Sequence, residues 1–345
     1  MMNRTSVAYG AAIVVPLLAL PAGAQQLPVW RDPSPHRVHF VTVEEGVRLE
    51  VLEWPGPGRN VVLMAGSGNS AHVFDDFAPK LTKRWHVYAI TRRGYGASSQ
   101  PPSGYGDQRL ADDVVQVLDS LGIAAPVLVG HSMAGGELTT VGRRHSNRLS
   151  GLVYLDALGD PRDWPASDPA YMALYRKLPP SPDPPVAPES AEEKKSFSGS
   201  RAAQLRIRKF AVPESELRNV FETNPDGTKG EFKTPPEINA MIGDGQIRRD
   251  YAGIRVPVLA FFEFPRPSRD LLAVNPSDAK GAEELAAKNA FDAATTAFID
   301  RWTINLLRGV ADVHLVDLPG AGHYLFLTRA AEVLRELDKF LASLP

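Results

Sequence analysis

The chain has 345 residues, of which 43% are hydrophobic and 23% charged, the proportions of a globular protein rather than a disordered or fibrous one. With 38 Lys and Arg against 40 Asp and Glu the formal net charge is -2, so no global field draws the chain to nucleic acid or an anionic membrane. Cysteine is absent, which excludes disulfides, thiolate metal sites and a cysteine nucleophile.

Residues Met1 to Ala24 open with Arg4, continue through the apolar run Ala11 to Leu20 and close on Ala22-Gly23-Ala24. Positive start, short apolar core and small residues before Gln25 are the layout of a secretory signal peptide. The run is too short for the ~20 residues of a bilayer span. The expectation is an exported protein, periplasmic or secreted, that starts at Gln25 and has no membrane attachment after cleavage.

Strands are expected at His39 to Val43 and Val47 to Trp54, around a turn at Glu45-Gly46, and at Asn60 to Ala65. Phe74 to Leu81 reads as a helix and Trp85 to Thr91 as the next strand. Arg109 to Leu121 is an amphipathic helix, with apolar side chains at 110, 114, 117, 118 and 121. A short apolar strand at Pro126 to Val129 runs into Gly130-His131-Ser132-Met133-Ala134-Gly135, a helix to about His145 and a strand at Leu149 to Leu155. Continuous apolar strands separated by helices imply an α/β fold, its mostly parallel central sheet flanked by helices.

That alternation stops over 158–250, where nine of the 30 prolines crowd between Pro161 and Pro188 and helical patches follow near 200–211 and 213–222. It resumes with a strand at Val256 to Phe264, a helix from about 281 to 308, a strand at Val313 to Leu318 and a last helix from Arg329 to Leu344. The expected organisation is a core of residues 25–157 and 251–345 interrupted by a helical, Pro-rich cap over 158–250. The cap aromatics Trp164, Tyr171, Tyr175, Phe210 and Phe221 either shape an apolar pocket or form the cap's own small core.

Ser132 stands at a sharp strand-to-helix turn that needs small residues two before and two after it, here Gly130 and Ala134. The segment resembles the nucleophile elbow of the α/β-hydrolases, usually G-x-S-x-G, with Ala134 in place of the last glycine. Met64-Ala65-Gly66-Ser67-Gly68 lies where that family has its oxyanion loop, which implies the backbone N–H groups of Ser67 and Met133 as oxyanion donors. Thr91-Arg92-Arg93-Gly94-Tyr95-Gly96-Ala97-Ser98 looks like the family's R-G-x-G-x-S turn, its arginines anchoring the loop. Leu318-Pro319-Gly320-Ala321-Gly322-His323 falls between the last strand and last helix, where the family has its histidine.

A serine nucleophile needs a base, and the base needs a carboxylate to hold its tautomer. Three acids end suitable strands: Asp156 after the elbow helix and its returning strand, Glu263, and Asp270 a few residues later. Most α/β-hydrolases carry the acid after the later strand, but that turn has no glycine here; some branches use the earlier one. Asp156 is favoured, with Glu263 and Asp270 as alternatives. His131 is expected to point away from the hydroxyl and His72 to lie near the mouth of the site. His36, His39, His86, His145 and His314 read as surface or strand residues.

The activity implied is acyl transfer to water through an acyl-serine, with no cofactor and no metal; esters, lactones, amides and carbon–carbon bonds are the substrates open to it, and export makes a small-molecule carboxylic ester or lactone the simplest choice. Ser132 argues against the haloalkane dehalogenase and epoxide hydrolase branches, which need a carboxylate there. Two rivals stay open. One is a non-catalytic ligand-binding protein of the same fold. The other is an NADP-dependent reductase, since Gly66-x-Gly68-x-x-Ala71 imitates a dinucleotide fingerprint and Arg92-Arg93 could meet a 2′-phosphate, although no Tyr-x-x-x-Lys pair occurs.

Overall fold

A computed structural model describes residues 30–160, 163, 167–178, 186–263 and 279–345. The unit Asp32–Pro345 is built on an eight-stranded sheet. Its strands are β1 (Arg37–Glu44), β2 (Val47–Trp54), β3 (Asn60–Met64), β4 (His86–Ile90), β5 (Val127–His131), β6 (Gly151–Leu155), β9 (Val258–Phe262) and β10 (Val313–Asp317), with a separate hairpin of β7 (Phe221–Thr223) and β8 (Lys229–Phe232). The order is β1-β2-β4-β3-β5-β6-β9-β10, antiparallel over β1-β2-β4 and parallel from there on.

Both faces of the inner parallel strands β3, β5, β6 and β9 are covered, which is why they read as largely apolar runs, whereas the edge strand β10 is mostly exposed. Val61, Leu63, Val127, Val129, Val153 and Leu155 enter one core, with Val333 and Leu337 of the C-terminal helix. The alternate residues Val62, Met64, Leu128, Leu152 and Tyr154 enter the other. There they meet α1 (Asp107–Ser120), α2 (Gly135–His145) and the helix Ala279–Gly309. After β3 the chain places β4 on one side of it and β5 on the other, so the strand order reverses there. Such a reversal opens a crevice at the carboxyl ends of the strands, and it falls between the loop after β3 and the turn after β5.

The expected helix at Phe74 to Leu81 is instead two short 3-10 turns, Ala71–Phe74 and Ala78–Lys80. Pro79 has no N–H to continue an α-helical ladder. Between β6 and β9 lie α3 (Pro169–Tyr175), α4 (Ala191–Lys194), α5 (Phe197–Arg208), α6 (Glu214–Val220), the β7–β8 hairpin and α7 (Pro236–Asp244). The hairpin, not among the expected strands, closes on the turn signal Asn224-Pro225-Asp226-Gly227. After β9 come α8 (Ala279–Gly309), β10, α9 (Leu325–Thr328) and α10 (Ala330–Ser343). Among the described residues, no helix is long and apolar enough to cross a membrane.

Candidate active site

β5 ends at His131 and α2 begins at Gly135, with Ser132 between them at φ +55°. A non-glycine residue there costs on the order of 1–3 kcal/mol and persists only where its surroundings over-determine it. The packing is that tight. A Cβ on Gly130 would sit 2.6 Å from Leu138 Cδ1 and 3.2 Å from Ala134 Cβ. Ala134 is fully buried at φ -58°, a right-handed conformation that does not call for glycine, so the departure from G-x-S-x-G is tolerated.

His323, in the loop after β10, brings the separated residues together. Its Nε2 lies 2.8 Å from Ser132 Oγ and its Nδ1 lies 2.6 Å from Asp156 Oδ2. With Nδ1–H donated to the carboxylate, Nε2 keeps its lone pair for the serine hydroxyl. Asp156 follows β6 at φ +47°, its N–H donated to Phe261 O on neighbouring β9 at 3.0 Å. Of the two candidate acids among the described residues, Asp156 is the one hydrogen-bonded to His323. Glu263 ends β9 beside it, and burial, then the Asp156 charge, raises its carboxyl above the ordinary range. Asp270 lies outside the described residues.

Ser67 and Met133 line one cavity of about 350 Å³ with Ser132 and His323. A Cβ on Gly66 would stand 2.9 Å from His131 Nδ1 and 3.0 Å from Ser132 Cβ, so only glycine lets this loop approach the serine so closely. Arg92 holds the loop from below. Its Nη2 donates to Ala65 O at 2.9 Å and its Nη1 reaches Gly66 O at 3.5 Å, while its Nε bonds the buried Glu137 of α2. Arg93 is equally committed, to Asp113 at 2.6 and 2.7 Å and to Glu44 at 2.9 Å. Both guanidiniums are buried in internal ion pairs, which overturns a 2′-phosphate site on them.

Sequence reasoning missed Glu216 of α6. This buried carboxylate accepts from Asn69 Nδ2 at 2.8 Å and Ser70 N at 3.0 Å, and Tyr324 donates to Asn69 Oδ1 at 2.8 Å. Burial pushes the Glu216 carboxyl up to about 7 against those hydrogen bonds. No local signal marks it, because it acts on a loop 146 positions away.

His131 turns away from the hydroxyl as expected and donates Nε2–H to His323 O at 2.8 Å. Burial, then the nearby His323, pushes it down to about 3 and keeps the ring neutral. His72 is not at the mouth; it is buried against Asp75 at 2.9 Å and Glu50 at 3.5 Å. His36 belongs to the same group, bonded to Asp75 at 3.0 Å, rather than to the surface. His39 and His86 both bond Glu53 of β2, whereas His314 is exposed.

A second cavity of about 380 Å³ adjoins Asp156 and His323 and is walled by Tyr171, Phe262, Phe298, Ile299 and Trp302. Among the described aromatics of residues 158–250, Tyr171 reaches it, tilted against Phe291 and edge-on to Phe298 of α8. Phe210 packs on Tyr324 and Phe221 on Phe232, while Tyr175 is largely exposed and Trp164 lies outside the described residues.

A mostly parallel sheet whose switch point holds a serine turn, a loop histidine and a strand-end carboxylate defines an α/β protein with the layout of an enzyme site. The model of the alpha/beta hydrolase family matches residues 61–336, and the chain belongs to that family. RutD of Caulobacter segnis, a protein named as a carbamate hydrolase, is 36% identical over 120 residues, 34% of this chain and 45% of that protein. Epoxide hydrolase A of Mycobacterium tuberculosis is 35% identical over 121 residues, 34% of this chain and 38% of that protein. The chain thus spans less than half the length of these curated relatives. The solved structure of E-2-(acetamidomethylene)succinate hydrolase superposes with a TM-score of 0.60 at 18% identity, covering 89% of this chain and 100% of that one, a likeness of fold.

Proposed function

We propose that this protein is a serine hydrolase that cleaves a carboxylic ester or lactone through an acyl-serine intermediate. The observation that carries the reading is the His323 ring, 2.8 Å from Ser132 Oγ and 2.6 Å from Asp156 Oδ2. His323 Nε2 takes the hydroxyl proton as Ser132 Oγ bonds to the substrate carbonyl carbon. The backbone N–H groups of Ser67 and Met133 receive the developing oxyanion. The C–O bond then breaks and His323 returns the proton to the departing alkoxide. Water repeats the sequence on the acyl-serine, releasing the carboxylic acid and restoring the hydroxyl. Asp156 keeps Nδ1 protonated and stabilises the imidazolium throughout.

An epoxide hydrolase mechanism of the branch with a carboxylate nucleophile is disfavoured, because Ser132 occupies that position. The carbamate chemistry in a relative's name would use the same carbonyl attack, and the ester or lactone reading rests on the apolar cavity beside His323. Residues 158–250 serve as a cap in this reading, supplying Tyr171 to one cavity and Asn239 and Gln246 to the other. Export follows from the leader: the protein recovered outside the cytoplasm is expected to begin at Gln25 on N-terminal sequencing.

The test is Ser132→Ala against short-chain p-nitrophenyl esters and a panel of lactones. Loss of turnover with an unchanged circular-dichroism spectrum is expected. Unaltered hydrolysis in the variant, or none by the wild type on any acyl substrate, overturns the proposal.

A further inference from the structure

Behind the oxyanion loop, away from Ser132, four side chains turn their donor atoms toward one another. Asp32 and His36 come from the lead-in to β1, and His72 and Asp75 from the turn after β3. One ligand-type atom from each lies within 4.8 Å of all the others. His72 Nδ1 is 2.9 Å from Asp75 Oδ2 and 3.2 Å from Asp32 Oδ2. His36 Nδ1 is 3.0 Å from Asp75 Oδ1, and its Nε2 is 3.8 Å from Asp32 Oδ2. Bonds of about 2.0–2.1 Å in a tetrahedron place neighbouring donors about 3.3–3.4 Å apart, and one donor atom from each of the four residues, all within 4.8 Å of one another, can draw in to that spacing around a single ion.

A second observation concerns orientation. His72 Nδ1 faces two carboxylate oxygens, yet one N–H donates fully to only one of them. Its other nitrogen, Nε2, faces the buried Glu50 carboxylate at 3.5 Å. Glu50 is itself fixed by the Thr91 hydroxyl at 2.6 Å. A carboxylate behind one imidazole nitrogen, presenting the other nitrogen to further ligands, is the outer-shell arrangement of metal-binding histidines. Asp75 is braced in the same way, by the hydroxyl of Ser215 on α6.

We propose that Asp32, His36, His72 and Asp75 form a structural site for a divalent transition ion of the zinc class, with Glu50 orienting His72. Two imidazoles and two carboxylates without thiolate suit such an ion, whereas calcium and magnesium prefer all-oxygen shells. Asp32, 23% exposed at its side chain, is the open edge through which an ion enters. The site ties the lead-in and α6 to the turn that continues the oxyanion loop. It takes no part in the chemistry at Ser132, so a chain without cysteine still has a metal site, made of His and Asp.

The experiment uses the full chain, stripped with EDTA and titrated with ZnCl2 in a calorimeter, with the melting temperature followed in parallel. One zinc per chain and a rise in melting temperature are expected, with CaCl2 and MgCl2 giving neither. Asp32→Asn and His36→Ala are each expected to weaken zinc at least tenfold, and Glu50→Gln by about 10- to 100-fold. Should these variants not fold, hydrogen exchange on the wild type decides: zinc is expected to slow the amides of residues 32–36 and 71–75. No zinc binding, equal binding of calcium, undiminished affinity in both ligand variants, or exchange unchanged in those segments overturns the site.

Discussion

Asp156 and Glu263 directly follow the neighbouring parallel strands β6 and β9, and the backbone N–H of Glu263 points at Asp156 Oδ1 at 3.4 Å. The two carboxylates therefore divide one position. Asp156 holds His323, while Glu263 lends a backbone donor and has its own carboxyl raised by burial and by the Asp156 charge. Asp156→Asn is expected to lower kcat by about 10⁴, because the amide no longer secures the Nδ1–H tautomer. Glu263→Gln is expected to stay within about tenfold of wild type in steady-state ester hydrolysis. A reversed ranking would make Glu263 the acid.

Arg92 joins a buried ion pair to the loop that carries Ser67. Arg92→Met strands Glu137 without its partner, and a buried unpaired charge costs about 3–5 kcal/mol. Urea unfolding is expected to show that loss, and the double variant Arg92→Met/Glu137→Leu to recover most of it. Activity is expected not to return with stability, since the carbonyls of Ala65 and Gly66 lose their donors in both variants.

The raised carboxyl of Glu216 gives a signed dependence on pH. Its pKa is about 7 in the folded protein against an ordinary 4.5, so the folded state holds the proton more tightly. The stability this contributes is complete below 4.5 and is lost as pH rises through 7, on the order of 3 kcal/mol. The buried neutral His131 acts oppositely, losing stability as pH falls from 6.5 toward 3. The difference between wild type and Glu216→Gln isolates the first effect: the variant is expected to gain on wild type steadily between pH 4.5 and 8 in urea titrations.

Phe298 walls the apolar cavity and is buried. Phe298→Ala enlarges that cavity where Tyr171 meets it edge to face. A shift of kcat/KM toward longer acyl chains is expected, by roughly 10-fold per one or two methylenes accommodated. An unchanged chain-length profile would place the acyl group in the other, more polar cavity.

The alternation of strands and helices was legible because the inner parallel strands are largely apolar and helices such as α1 and α10 have one apolar face. Ser132 and His323 were legible for a local reason: small residues must flank a strand-to-helix turn, and a glycine-containing loop carries the histidine. The β7–β8 hairpin was less so, because its strands are short and only half-buried.

By itself the sequence determined the sheet, the serine turn and the three acids that could serve the histidine. Only the tertiary structure set Asp156 against His323, because strand order and pairing bring them together across 167 positions. It also brought Arg92 and Glu216 to the loop after β3 and gathered His36 and His72 with Asp32 and Asp75. Periodicity reports which face of an element is buried, a property of neighbouring residues. Which polar groups meet inside depends on contacts between segments far apart in the chain, and these leave no local pattern.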